Sequence, residues 1–410
     1  MHLWASSSNF RKEKKEMITE SIIIGSSIYL YLNWWKFKIK NKWNKIINSK
    51  SSFTNKLGKS LKIWKIQKEE YGYRLIIELP YSYTFNDLEK DLDIFREGLR
   101  LSSIQIQGEG NIVELNCIEE FGFKDYVPIK LPANQLLIAA GLTNPIAVNM
   151  NSFPHMLIGG DTGTGKSRIL LLIITNLINS CKDVDIHLLQ LRKNDLGVFN
   201  NCIQVKSNAN TLEEILDTLT DIDTECRRRE KLIDNTKGYY SIEDYNKANK
   251  PLNYIYVVIE EFSFLNKSQG DSKEEKQLKQ KCLKHIKTIV NVGRSSGVFL
   301  ITALQKPTSD SIPSDIKAQL CTRISLRIDD GPAAKVILGN EHSTDLKERE
   351  LIIRTLGEEK GYSYTIDHNL ITKNIKDSII KKVDKPKKSE PENKNDSLSN
   401  ILESLNEINK

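Results

Sequence analysis

The sequence predicts an α/β fold with a nucleotide-binding parallel sheet, preceded by a small α+β module and a short N-terminal hydrophobic segment. Three observations carry this. A glycine-rich loop, Gly160–Ser167, fits the Walker A pattern GxxxxGK[ST] and lies between the apolar runs Met156–Ile158 and Ile169–Ile178. A second apolar run, Tyr254–Ile259, ends in Glu260 and Glu261. From about Asn134 onward, strand-like and helix-like segments alternate, the pattern of a parallel sheet.

The loop has a physical logic. Its glycines let successive backbone N–H groups turn inward around phosphate oxygens, and the following helix presents its positive end. The candidate nucleotide-binding residues are therefore Gly160, Asp161, Thr162, Gly163, Thr164, Gly165, Lys166 and Ser167. Lys166 is placed to reach the β- and γ-phosphates of ATP, and the Ser167 hydroxyl to help hold Mg2+. An acid at the end of the second strand faces such a loop, which assigns Glu260 to the metal and Glu261 to the attacking water. The usual first acid is Asp; the extra methylene of Glu260 displaces its carboxylate by about a bond length. A third strand, Val298–Thr302, runs on to Gln305, a polar amide placed to sense the γ-phosphate.

The 410 residues allow two or three domains, and a hydrophobic content of 39% suits a packed core. Six scattered cysteines form no CxxC pair, which argues for a reducing compartment and against a zinc site. The net charge of +7 is unevenly spread. Residues 1–60 hold twelve Lys/Arg against three Glu, +9, so the rest is near neutral. This basic arm, 1–59, contains the membrane candidate 17–35. It ends in Trp34-Trp35 and is followed by Lys36, Lys38, Lys40, Lys42 and Lys45, as at an interfacial belt. Its apolar part falls short of the ~20 residues of a spanning helix. No small-residue cleavage site comes after it, which argues against a secretory signal.

Residues 51–59 read as a polar linker, and 60–133 as the small module. Strands are expected at Ser60–Gln67 and Tyr73–Leu79, then a helix from Thr84 to Leu99 opened by a Thr84/Asp87 capping box. Next comes a hairpin, Ser103–Gln107 with Ile112–Ile118. In the strand–helix region, 134–370, a long helix over 211–237 carries Arg227, Arg228, Arg229 and Lys231. The cluster is read as a solvated face rather than a contact to DNA phosphates. Residues 371–410 read as a charged, disordered tail, with a helical pattern at Leu398, Ile401, Leu402, Leu405 and Ile408.

Taken in order, Pro154–Ser167, Val257–Phe262, Gly293–Gly297 with Gln305-Lys-Pro307, and Thr322-Arg323-Ile resemble the FtsK/SpoIIIE family of DNA-pumping ATPases. The resemblance covers roughly 134–368, with Lys335-Val-Ile-Leu338 where the family has Arg-Thr-Ile-Leu. It implies a RecA-like motor domain that works as a homo-hexamer around DNA, contacting phosphates without regard to sequence. It also implies that Arg294 and Arg323 are candidates to reach a neighbouring subunit's nucleotide. One motor, one small module and one weak hydrophobic segment resemble the coupling ATPases of Gram-positive conjugative elements. That points to a cytoplasmic motor at the inner face of the membrane, with relaxase and channel proteins as partners. A segregation pump, a type VII secretion ATPase and a slow, non-motor nucleotide-binding module are the alternatives.

Overall fold

The computed structural model describes residues 31–119, 124–192, 194–236, 238–305 and 307–380. The chain divides into two compact units, Met1–Gly122 and Phe123–Lys410.

In the first unit a helix over 31–49 (α1) precedes β1 (Lys62–Glu69), β2 (Gly72–Glu78), α2 (Phe85–Leu99), β3 (Ser103–Glu109) and β4 (Ile112–Ile118). The strands form an antiparallel sheet in the order β1-β2-β4-β3. Alternate residues of β2 and β4 (Tyr73, Leu75, Ile77; Val113, Leu115, Cys117) face the core, as a period of two demands. Thr84 caps α2 through the reciprocal box with Asp87, and Leu88, Phe95 and Leu99 turn inward.

Two expectations change here. The described part of the basic arm, from residue 31, and the linker are not separate from the module. Ile39, Trp43, Ile46 and Ile47 of α1, and Phe53 after it, are buried in the same core as Phe95. Trp43 and Phe53 stack around Phe95 at 4.9 and 5.1 Å, and the Trp43 indole N–H donates to the Leu61 carbonyl. The lysines that seemed to flank a membrane segment lie on the polar side of this amphipathic helix. Among the described residues no helix is long and apolar enough to cross a membrane. Residues 17–30 of the candidate segment lie outside the described residues.

The second unit is built on one ten-stranded sheet, ordered β6-β5-β14-β13-β12-β7-β11-β10-β8-β9. Its strands are β5 (Gln135–Ala140), β6 (Pro145–Asn149), β7 (Met156–Gly160), β8 (Val184–Leu189), β9 (Val205–Ala209), β10 (Tyr254–Ile259), β11 (Val298–Gln305), β12 (Thr322–Ser325), β13 (Glu350–Arg354) and β14 (Glu358–Tyr362). The run from β12 to β9 is parallel throughout. The other four strands add on antiparallel. Parallel strands must be covered on both faces, and every residue of β7 is buried. On one face α4 (Leu212–Asp234) packs on α6 (Lys273–Ser296), through Ile215, Leu219 and Ile222 against Cys282, Ile286 and Ile289. Elsewhere α3 (Lys166–Ser180) packs on β5 and on α9 (His368–Ile375). The short helices α5 (Ile242–Ala248), α7 (Ser314–Gln319) and α8 (Gly331–Leu338) complete the unit.

The ordered chain therefore reaches beyond 370. Ile371 and Ile375 of α9 are buried, and Ile379 pairs with Cys202. The rest of the expected tail, with its helical pattern at 398–408, lies outside the described residues. The Arg227–Arg229 cluster is tied within the fold. Arg227 pairs with Asp223, and Arg228 and Arg229 both pair with Glu225. These partners hold the Glu225 carboxyl down at about 2. Arg229 is itself buried and also donates to the carbonyls of Asn253 and Ser296.

Two imidazoles, buried His155 and half-buried His187, make this unit sensitive to acid. Burial pushes His155 and His187 down to about 4. Both stay neutral in the folded state while the unfolded chain takes up protons below its ordinary pKa of about 6.5. Their contribution is thus complete above pH ~6.5 and is lost as pH falls toward 4. Denaturant midpoints measured across pH 7 to 4 should drop, and His187→Gln should flatten part of that slope.

Candidate nucleotide site

The site begins at the C-terminal end of β7. Gly159 lies so close to Ile337 of α8 that a Cβ would collide with it, which brings the loop's base down onto that helix. The loop then turns through Gly163 (φ +84°) and Gly165 (φ +114°), conformations that favour glycine. A Cβ at Gly163 would meet open space, so it is the backbone conformation rather than crowding that calls for glycine there. Gly165 is the N-cap of α3 and gives no side-chain cap, and the first turn holds no acid. The first N–H groups of α3 and its positive end are thus left for an anion.

Loop and flanks are pinned together. The Asp161 N–H donates to the Arg327 carbonyl at 3.1 Å, and the Asp161 carboxylate accepts from the Asp329 N–H at 2.8 Å. The Thr164 hydroxyl donates to the Asp161 carbonyl at 2.8 Å. Lys166 is buried, with its ammonium donating to the carbonyls of Gly160 at 2.7 Å and Asp161 at 2.8 Å. It fills the centre of its own loop. Ser167 comes next, in the first turn of α3.

The second half of the site comes from register. Gln305, the last residue of β11, pairs with Gly160. β10 lies on the far side of β11, with Ile259 opposite Thr302. The chain leaves β10 through Glu260, which is buried and donates its N–H to Leu189. Glu261 then caps a short turn by accepting from the Ser263 N–H. Its carboxylate also accepts the Gln305 backbone N–H, at 3.1 and 3.2 Å to its two oxygens. The acid assigned to water activation is thereby held against the strand bordering the phosphate loop. Among the described residues none takes up the Gln305 side-chain amide. The donor set fits ATP: backbone N–H groups, one ammonium and an uncapped helix. A hydroxyl at Ser167 and a carboxylate at Glu260 are oxygen ligands of the kind Mg2+ takes.

The two candidate arginines lie elsewhere. Arg294 is in the last turn of α6 and donates to the Asn151 carbonyl, ahead of β7 and at the sheet end opposite Gly160. Arg323, at the start of β12, donates to the carbonyls of Leu320, Ile337 and Lys317 at 3.1–3.2 Å. It closes the C-terminal ends of α7 and α8 in its own subunit. Its half-buried guanidinium, with Arg354 beside it, is held below its ordinary pKa. The geometry makes Arg323 a structural cation and leaves Arg294 as the more exposed of the two. The sequence reading missed Arg327 and Asp329, because both act on the loop through backbone groups that no side-chain motif signals. It also missed His155, whose φ of +57° and bond from the Leu300 N–H shape the entry to β7. Arg323→Ala should leave three carbonyls without their donor and cost about 1–3 kcal/mol in denaturant unfolding, with nucleotide affinity unchanged.

Residues 129–255 match the FtsK/SpoIIIE family. DNA translocase FtsK of Staphylococcus aureus (strain Mu50 / ATCC 700699) is 28% identical over 236 residues, covering 53% of this chain and 28% of its own length. That of Clostridium acetobutylicum is 26% identical over 229 residues, covering 53% and 28%. The chain thus spans less than a third of the curated relatives it matches. Among solved structures, the monomer form of the pCW3 conjugation coupling protein TcpA with ATPγS superposes with a TM-score of 0.60 at 19% identity, covering 83% of this chain and 99% of that one. The cytoplasmic domain of the Thermomonospora curvata type VII secretion ATPase EccC gives 0.51 at 20% identity, covering 63% and 32%. The second unit has the mixed α/β fold of P-loop ATPases, and residues 129–255 within it resemble the FtsK/SpoIIIE family.

Proposed function

We propose that this chain is an ATP-driven DNA translocase that works as a homo-hexameric ring and moves DNA in conjugative transfer. The observation that carries the reading is the Glu261 carboxylate held by the Gln305 N–H, one strand from the Walker A loop. A hydrolytic motor needs its base beside the strand that senses the phosphate. On this reading the loop N–H groups and Lys166 bind the β- and γ-phosphates, and Glu261 accepts the proton of the attacking water. The Gln305 amide contacts that water or the γ-phosphate. Mg2+, held by Ser167 and Glu260, would offset phosphate charge. Arg294, exposed at the far end of the sheet, is the better candidate to reach a neighbour's nucleotide.

The conjugative setting is supported by the extent of the likeness to the coupling protein TcpA, which spans nearly all of that chain. A segregation pump, the alternative, uses the same chemistry; the FtsK relatives are named DNA translocases. Anchoring at the inner face of the membrane through 17–35, and relaxase and channel partners, complete the proposal.

ATP turnover measured with and without duplex and single-stranded DNA tests it. DNA should raise the rate severalfold in the parent chain. Glu261→Gln should keep nucleotide binding but lower turnover about 10²–10⁴-fold, because the amide takes no proton. Lys166→Ala should lose nucleotide affinity itself. A rate indifferent to both DNA forms, with stimulation by a secreted protein instead, would overturn the translocase reading in favour of a secretion ATPase.

A further inference from the structure

The first unit has a cleft of about 1070 Å3 that the motor reading does not use. It is bordered by α1, the start of β1 and the loops over 55–60 and 79–84. Lys40, Lys59 and Lys62 line it and are exposed, and among the described residues none of the three is paired with a carboxylate. One acid, Glu78, also lines it and accepts from the Trp64 indole, but cations prevail: between Tyr31 and Lys68 there are eleven lysines and no Asp or Glu. A cleft so lined attracts an anion chain.

Two aromatic rings distinguish this from a plain basic surface. Tyr81 lines the cleft at 81% exposure, and Trp64 stands beside it at 63%. Each has a lysine over it: Lys59 at 5.9 Å from the Tyr81 ring and Lys62 at 5.7 Å from the Trp64 ring. The Trp64 indole N–H donates to Glu78 at 2.9 Å, which fixes the ring's orientation.

The rim is built to hold Tyr81 out. Pro80–Tyr83 is a turn closed by the Tyr83 N–H on the Pro80 carbonyl. Its third residue, Ser82, sits at φ +78°, where glycine is usual. Strain of this kind persists only where surroundings enforce it, and it clusters at binding sites. Asn55 links the two rim loops. Its side-chain oxygen accepts the N–H of Leu57 and of Lys59, and its amide donates to the Tyr81 carbonyl. Lys59 and Tyr81 are therefore presented together.

We infer that this cleft binds single-stranded DNA, with Tyr81 and Trp64 stacking bases and the three lysines meeting phosphates. Rings alternating with cations along a groove are the chemistry of sequence-tolerant single-strand binding. A duplex keeps its bases stacked on one another and offers nothing to an exposed ring, so the aromatic pair selects the single strand.

The inference is independent of the motor chemistry and is tested without nucleotide. The full chain is titrated with labelled oligo(dT), with duplex DNA, and with phosphatidylserine vesicles. The double variant Tyr81→Ala/Trp64→Ala removes only exposed rings, and the fold of the first unit is checked by unchanged fluorescence of buried Trp43 and an unchanged denaturant midpoint. It should lower oligo(dT) affinity about tenfold or more and leave duplex affinity within twofold. Replacing Lys40, Lys59 and Lys62 by Gln should reduce the salt slope of oligo(dT) binding by about 2. Oligo(dT) affinity unchanged in the ring variant, or lost equally for duplex, would overturn the assignment. Rings that matter for the vesicles and not for oligo(dT) would assign the cleft to a membrane surface instead.

Discussion

Everything at the candidate catalytic centre depends on the parallel pairing of three strands, β7, β11 and β10. Parallel strands end at the same edge of a sheet, so the loops leaving them converge there. The pairing of Gly160 with Gln305, and of Thr302 with Ile259, brings together groups that lie far apart in sequence. A slip of one residue along β11 would turn Gln305 to the other face and carry its N–H away from Glu261. The register is held by burial. All of β7, and all but the ends of β10 and β11, are inaccessible to water, so any slip would expose apolar side chains or bury polar ones.

Around that edge the protein uses charge mainly to close its own backbone. Lys166 donates to two loop carbonyls, Arg323 to three carbonyls at helix ends, and Arg229 to two more. These three cations act as internal donors. The cleft lysines of the first unit are of another kind, exposed and among the described residues not paired with a carboxylate.

The first unit also shows how part of a basic N-terminal stretch, residues 31–49, can belong to a folded core. Trp34-Trp35 followed by alternating lysines has the composition of a membrane flank. The same residues at helical spacing place Ile39, Trp43, Ile46 and Ile47 on one stripe, and the sheet supplies a core to bury it. Composition cannot tell an apolar stripe that meets protein from one that meets lipid. The deciding partner, the Phe53–Phe95 cluster, comes from later in the chain.

By itself the sequence determined what is local. The Walker A loop, the Thr84 capping box, the hairpin of β3 and β4 and the acidic end of β10 depend on residues within a few positions of each other, and all were legible. The tertiary structure decided what depends on distant pairing. Gln305 lies beside Gly160, and its backbone rather than its side chain holds Glu261. Arg323 turned out to close its own subunit's helices, and residues 39–53 of the basic arm became part of a folded core. The reason is physical. Propensity and caps act over one or two turns of chain, whereas burial and backbone hydrogen bonding choose among partners anywhere in the sequence, and only the folded chain makes that choice.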